Sequence, residues 1–306
     1  MATAYVFPGQ GSQTVGMGSD WLGRSDLVKQ TFAEADEALG EALSKTILEG
    51  PTEDLTRTEN TQPALLTVSV AYYRVLEAEG MLPDVVAGHS LGEYSALVAA
   101  GALAFEDAVR LTRLRGEAMQ SAVPLGVGTM AAIIGIKDPT VVEQLCVDAA
   151  EGQVLEPAGY NTPGQIVIAG NVEAVDRAVA RVGDRRGVGK KLTVSAPFHC
   201  SLLAPAGDKL GAALADVSFS TPRCAYVPNA TAAWTEPGDA TGESISARLV
   251  EQVCKAVRWQ QTMEVMKEHA VDRWVEVGAG RTLVGLVKRF ERKANAVTFE
   301  SEKWRA

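Results

Sequence analysis

The chain has 306 residues, 46% hydrophobic and 22% charged, ordinary globular usage that excludes a fibrous or natively unfolded protein. Its 29 Lys and Arg against 38 Asp and Glu leave a net charge of −9, which disfavours broad binding to nucleic acid or an anionic membrane; any acidic partner then needs a local basic patch. Cys146, Cys200, Cys224 and Cys254 form no CxxC pair, and there is neither a signal-type leader nor a long apolar run, so the expectation is a cytoplasmic, soluble protein without a metal site.

Residues 4–7 are a short apolar run stopped by Pro8 and a glycine cluster, and residues 84–88 repeat that pattern ahead of a helix-like segment. Both predict buried parallel strands. Apolar residues at helical spacing predict helices over 26–39, 64–79, 91–100 and 105–120. From Gly128 the order changes to strand 129–136, helix 139–150, strands 154–160 and 166–169, helix 173–182 and strand 191–194, the βαββαβ order of ferredoxin-like units. After Pro197 the α/β rhythm returns, with strands predicted at 224–227, 273–277 and 297–300. The fold class that follows is α/β: a discontinuous core, residues 1–126 and 197–306, carrying an inserted subdomain over 127–196. A cleft is expected where the two meet. Residues 230–243, rich in Thr, Ala, Gly and Pro, read as the best exposed loop.

The sharpest local signal is Gly88-His-Ser-Leu-Gly92, a GxSxG between a predicted strand and a predicted helix. A serine on so tight a turn needs flanking glycines, because side chains at 88 and 92 would strike the neighbouring strand and helix. The following helix N-terminus offers free N–H groups to a developing oxyanion. The plain alternative is a glycine-rich helix cap with Ser90 satisfying backbone donors. Of the three histidines, His89 adjoins Ser90 and points away from it, and His269 closes a charged helix as a solvated residue. That leaves His199, in Ser195-Ala-Pro-Phe-His-Cys, as the base, with a packed core histidine as the alternative. No acid stands out to orient it, so a Ser-His dyad with an uncharged acceptor such as a backbone carbonyl is expected.

Gly11 to Gly16 has P-loop spacing but ends in Met17-Gly18, and Gly126-x-Gly128-x-x-Ala131 runs into a strand, so neither nucleotide motif holds. The loop after the first strand instead brings the Gln10 N–H opposite that of Leu91 as an oxyanion donor. On a helical wheel over 105–122, Ala108, Leu111, Ala118, Met119 and Ala122 share one arc, and Arg115 falls inside it; Arg110, Arg113, Glu106 and Glu117 lie opposite. An inward guanidinium is either half of a structural salt bridge or a fork for a substrate carboxylate.

Taken in order, Gly9-Gln-Gly-Ser-Gln, Asn60-Thr-Gln-Pro-Ala, Gly88-His-Ser-Leu-Gly-Glu93, Arg115-Gly, Asn161-Thr-Pro-Gly-Gln, Ala196-Pro-Phe-His-Cys and Val275-Glu-Val-Gly-Ala-Gly resemble the malonyl-CoA:acyl carrier protein transacylases over nearly the whole chain. The resemblance implies an α/β-hydrolase-like core with a ferredoxin-like subdomain, and a ping-pong transfer of malonyl from malonyl-CoA to the carrier's phosphopantetheine thiol. No cofactor is implied. Ser90 would carry the acyl group, His199 act as base, and the main-chain carbonyl of Gln252 orient it. Gln10 and Leu91 would form the oxyanion hole, and Arg115 would pair the malonyl carboxylate. Gln62, Met119, Asn161 and Phe198 complete the implied substrate site, the aromatic residue before the histidine favouring malonyl over methylmalonyl. Ala279 and Lys255-Ala256 depart from the commonest family pattern. A serine esterase or thioesterase acting on neutral acyl groups is the alternative activity, polyketide rather than fatty acid synthesis the alternative setting, and a monomer the expected state. Arg185, Arg186, Lys190 and Lys191, or Lys288, Arg289, Arg292 and Lys293, are the candidate basic surfaces for an acidic carrier protein.

Overall fold

The computed structural model describes residues 2–305. Among them, nine strands form two sheets: β1 (Ala2–Phe7), β2 (Val85–Gly88), β3 (Gly128–Ile134), β4 (Leu155–Thr162), β5 (Gln165–Asn171), β6 (Val188–Lys191), β7 (Ala225–Tyr226), β8 (Val271–Glu276) and β9 (Asn295–Thr298). The larger sheet runs β7-β2-β1-β8-β9 with every pairing parallel. Along β1, Tyr5 and Phe7 enter one hydrophobic cluster while Ala4 and Val6 enter the other, so the strand is buried on both faces, and this is why it reads as an unbroken apolar run.

The second sheet, β4-β5-β3-β6, is antiparallel throughout. Its helices Pro139–Ala150 and Val172–Arg181 pack Val142, Leu145, Ala174 and Ala178 against Ile133, Ile166 and Ile168. The βαββαβ order expected from Gly128 onward is observed. Its last strand differs: it spans Val188–Lys191 instead of 191–194. Arg186 reverses the chain with φ 61°, placing Val188 opposite Ile134, and beyond Lys191 the side chains of Leu192, Thr193 and Val194 line the cleft.

In the larger sheet the chain runs from β1 to β2 on one side and returns through β8 on the other. A crevice at the carboxyl ends of the strands is the result, the place where open α/β sheets bind ligands. One wall is the helix Thr58–Ala78, which begins six residues before the expected start at 64 and carries Pro63 internally. A proline this close to a helix N-terminus sacrifices few hydrogen bonds, so it does not mark the boundary. The helix crosses Phe105–Ser121 at Gly116, where a Cβ would lie 2.7 Å from Glu59 Cα and Thr58 O. That approach sets Arg115 against the first turns of its neighbour. The segment 230–243 is only partly exposed: Ala230, Ala232 and Ala240 are buried, because the chain beyond β7 dives under the elbow before surfacing.

Candidate active site

The elbow follows from its glycines. A Cβ on Gly88 would sit 1.8 Å from the carbonyl carbon of Gly92, and one on Gly92 would sit 2.0 Å from the Phe7 carbonyl oxygen. No other residue fits either position. Ser90 takes φ 53° at the apex, and His199 takes φ 62° on the returning chain. A non-glycine residue held there costs about 1–3 kcal/mol, strain that surrounding contacts must offset. Under Ser90, Asn229 accepts from the Ser90 N–H at 2.6 Å and donates to the Gly88 carbonyl at 2.5 Å, pinning the turn from beneath. The amide of Leu91, next in the chain, opens the helix Gly92–Ala99 at its positive end.

Ser90 Oγ lies 2.7 Å from His199 Nε2, and His199 Nδ1 lies 2.8 Å from the main-chain carbonyl of Gln252. A carbonyl only accepts, so Nδ1 carries the proton and Nε2 presents its lone pair to the serine hydroxyl. Burial, followed by the charge of Arg115, pulls the His199 pKa down to about 3. The imidazole is therefore neutral at physiological pH and ready to take a proton.

Arg115 is 1% exposed. Its Nη1 donates to Gln62 Oε1 at 2.7 Å, and its Nη2 to Gln252 Oε1 at 2.8 Å and to Ser90 Oγ at 3.1 Å. Nε has no hydrogen-bond partner, and among the described residues no carboxylate pairs with this guanidinium. It is thus no structural salt bridge but a buried cation held by neutral acceptors beside the serine, against the burial that pushes its pKa down. Arg113, by contrast, is less exposed than the wheel implied, since it pairs with Glu41 and Asn60.

A cavity of about 420 Å³ opens over this group. Gln10, Gln62, Ser90, Leu91, Arg115, Met119, Asn161, Phe198 and His199 all border it. Gln252 lies behind the wall, fully buried. Every residue implied by the resemblance is therefore brought to one place, from seven stretches of chain. His89 also reaches the cavity, its Nε2 2.9 Å from Asn161 Oδ1 and its ring tilted on Trp259. His269 is exposed and far from the chemistry, stacked on Trp234 at 4.0 Å. No group of three or more His, Cys, Asp or Glu residues is placed to hold a metal ion among the described residues. No helix among the described residues is long and apolar enough to cross a membrane.

The acyl transferase domain family matches residues 4–300. A malonyl CoA-acyl carrier protein transacylase of Escherichia coli is 49% identical over 290 residues, covering 94% of this chain and 92% of the relative. The chain belongs to the malonyl CoA-acyl carrier protein transacylase family. Among solved members, the transacylase of Coxiella burnetii superposes with TM-score 0.94 at 41% identity, covering 97% of this chain and 93% of the other. A type II PKS malonyl-transacylase in complex with its acyl-carrier protein gives TM-score 0.92 at 43% identity, over 97% and 95% of the two chains. As in those relatives, a parallel sheet and a separate antiparallel sheet make up a mixed α/β fold.

Two groups were not legible as site residues. Asn229 follows a short strand with no motif to mark it, and the side chain of Gln252 makes contacts its main-chain carbonyl did not foretell. Gln252 Nε2 donates to the Ser90 carbonyl at 2.9 Å and to Glu93 Oε2 at 2.6 Å.

Proposed function

We propose that this chain transfers malonyl from malonyl-CoA to the phosphopantetheine thiol of an acyl carrier protein through a malonyl-Ser90 intermediate. The observation that carries the reading is the unpaired, buried Arg115 guanidinium 3.1 Å from Ser90 Oγ, a fork able to grip a carboxylate on the acyl group being transferred. His199 Nε2 takes the Ser90 proton as Oγ attacks the thioester carbonyl. The oxyanion is received by the N–H groups of Gln10 and Leu91, the C–S bond breaks, and His199 returns the proton to the leaving thiolate. The carrier's thiol then repeats the sequence in reverse, giving its proton to His199 and receiving the acyl group. Gln62 holds the second arm of the Arg115 fork, while Met119, Phe198 and Asn161 shape the acyl and pantetheine walls. The aromatic ring of Phe198 beside His199 fits malonyl over a branched homologue.

The wider reading is an α/β-hydrolase-like core over 1–126 and 197–306 with a ferredoxin-like subdomain over 127–196, acting as a cytoplasmic monomer without a cofactor. The two-sheet division and the strand order β4-β5-β3-β6 support the two-part fold. The test of function is mass spectrometry after mixing with malonyl-, methylmalonyl- and acetyl-CoA. A malonyl adduct on Ser90, absent from Ser90→Ala and discharged by holo-carrier protein, is expected. Equal labelling by acetyl-CoA would favour a serine esterase or thioesterase acting on neutral acyl groups instead.

For the carrier surface, the cluster on and beyond the helix Thr282–Phe290 is favoured. Lys288, Arg289, Arg292 and Lys293 are exposed, Arg289 reaches Gln165 at the cavity rim at 2.9 Å, and the same helix lines the cavity through Leu283 and Leu286. In the other cluster Arg185 is engaged by Asp148 and Lys191 by Asp176. Reversing Lys288, Arg292 and Lys293 to Glu is expected to raise the carrier KM about tenfold at low salt, leaving Ser90 acylation by malonyl-CoA unchanged. An unaltered carrier KM removes this surface.

A further inference from the structure

Glu93 is the first residue past the elbow glycine, and it is fully buried, although no step above uses it. Its Oε1 accepts from the Tyr226 hydroxyl at 2.5 Å, and its Oε2 accepts from the Asn229 N–H at 3.1 Å and from Gln252 Nε2 at 2.6 Å. The Gln252 amide is not free to turn over. Arg115 carries only donors, so the oxygen of Gln252 must face it and the nitrogen must face Glu93. Two obligatory donors therefore converge on Oε2 and, with the Tyr226 hydroxyl and the charge of Arg115, favour the carboxylate form, against the burial that pushes its pKa up. One amide thus separates the buried Glu93 carboxyl group from a buried cation, and the same Gln252 supplies the carbonyl that orients His199.

We propose that Glu93 is a positioning residue that, through Gln252, fixes the Arg115 fork and opposes its charge from one residue away, so that Arg115 selects a substrate carboxylate without holding it too tightly to release. The inference rests on Arg115 being the carboxylate receptor proposed above. Direct contact between Glu93 and Arg115 would close the fork; no anion at all would leave the cation free to trap its ligand. The intervening amide gives the middle case.

Glu93→Gln isolates the charge, because its amide oxygen can take both Oε2 donors while its nitrogen donates to the Tyr226 oxygen. Affinities for malonyl-CoA and acetyl-CoA, measured by calorimetry in a Ser90→Ala background, are expected to show malonyl-CoA binding about tenfold tighter and acetyl-CoA unchanged. Glu93→Leu, which strands the Gln252 amide, is expected to lower the malonyl-to-acetyl preference instead. In carbon-13 NMR of glutamate-labelled protein with native Glu93, a buried carboxylate resonance should shift with malonyl-CoA and not with acetyl-CoA, which keeps the test decisive should either variant misfold. An unchanged malonyl-to-acetyl ratio in folded Glu93→Gln, or no responsive carboxylate, overturns the proposal. Arg115→Ala serves as control: if it leaves the preference intact, the receptor assignment fails; if it abolishes the preference while Glu93→Gln does nothing, only the role of Glu93 fails.

Discussion

His199→Ala is expected to slow acylation of Ser90 by malonyl-CoA about 10⁴-fold, with little change in the affinity for malonyl-CoA. The nitrogen 2.7 Å from Ser90 Oγ is the only one placed to receive the proton, and nothing else among the described residues at that distance is a base. The pH dependence is the sharper part of the expectation. An ordinary imidazole near pKa 6.5 would bring an acidic limb to the rate just below neutrality. Here burial and the neighbouring guanidinium hold His199 down to about 3, so the acylation rate of the free enzyme should stay flat from about pH 8 to about pH 5. The same shift enters stability. The unfolded chain binds the proton near pH 6.5 and the folded one resists it, so this contribution is present above 6.5 and lost as pH falls toward 3. Stopped-flow acylation across that range checks it. A limb centred near 6.5 would mean that the working imidazole is solvated and the closed geometry is not the reactive one.

How far the site could be read ahead of the fold depended on how local each constraint was. The elbow was legible because Gly88 and Gly92 answer a steric demand made within five residues of chain. His199 emerged by elimination among three histidines, and Arg115 from a helical wheel, where one inward cation broke an apolar arc. The carbonyl of Gln252 needed a family resemblance, since a backbone acceptor leaves no trace in residue type. Asn229 and the Gln252 side chain were out of reach for a different reason. Both act only where the loop after β7, the helix Gly242–Cys254 and the elbow converge, a meeting decided by how the larger sheet is covered. Glu93 stood inside a quoted motif, yet its role depends on Tyr226, Asn229 and Gln252, residues more than 130 positions away. The misplaced ends have the same origin. Leu192 and Val194 line the cavity beyond the end of the strand, and periodicity does not distinguish a cavity wall from a sheet face.

Arg115→Ala is expected to cut acylation by malonyl-CoA about 10³-fold while changing acylation by acetyl-CoA less than about tenfold, so that the preference between them collapses. Two effects combine. The first is recognition: a carboxylate brought into a buried cavity must meet a cation already there, and losing one partner of such a pair costs about 3–5 kcal/mol. The second couples recognition to chemistry. The charge of Arg115 is one of the influences that depress His199, so a malonyl carboxylate seated on the guanidinium offsets that influence and makes the imidazole more basic once the correct acyl group is bound. Acetyl-CoA leaves the charge uncompensated and meets a weaker base. Native protein should therefore discriminate in the rate constant of acylation as well as in binding, and Arg115→Ala should lose both forms of discrimination together. Arg115→Lys is not expected to restore them, because a single ammonium cannot donate at once to Gln62, Gln252 and a carboxylate in the plane the fork defines. Single-turnover acylation with the two thioesters separates the contributions. Discrimination confined to binding would leave Arg115 as a receptor alone and remove its coupling to the base.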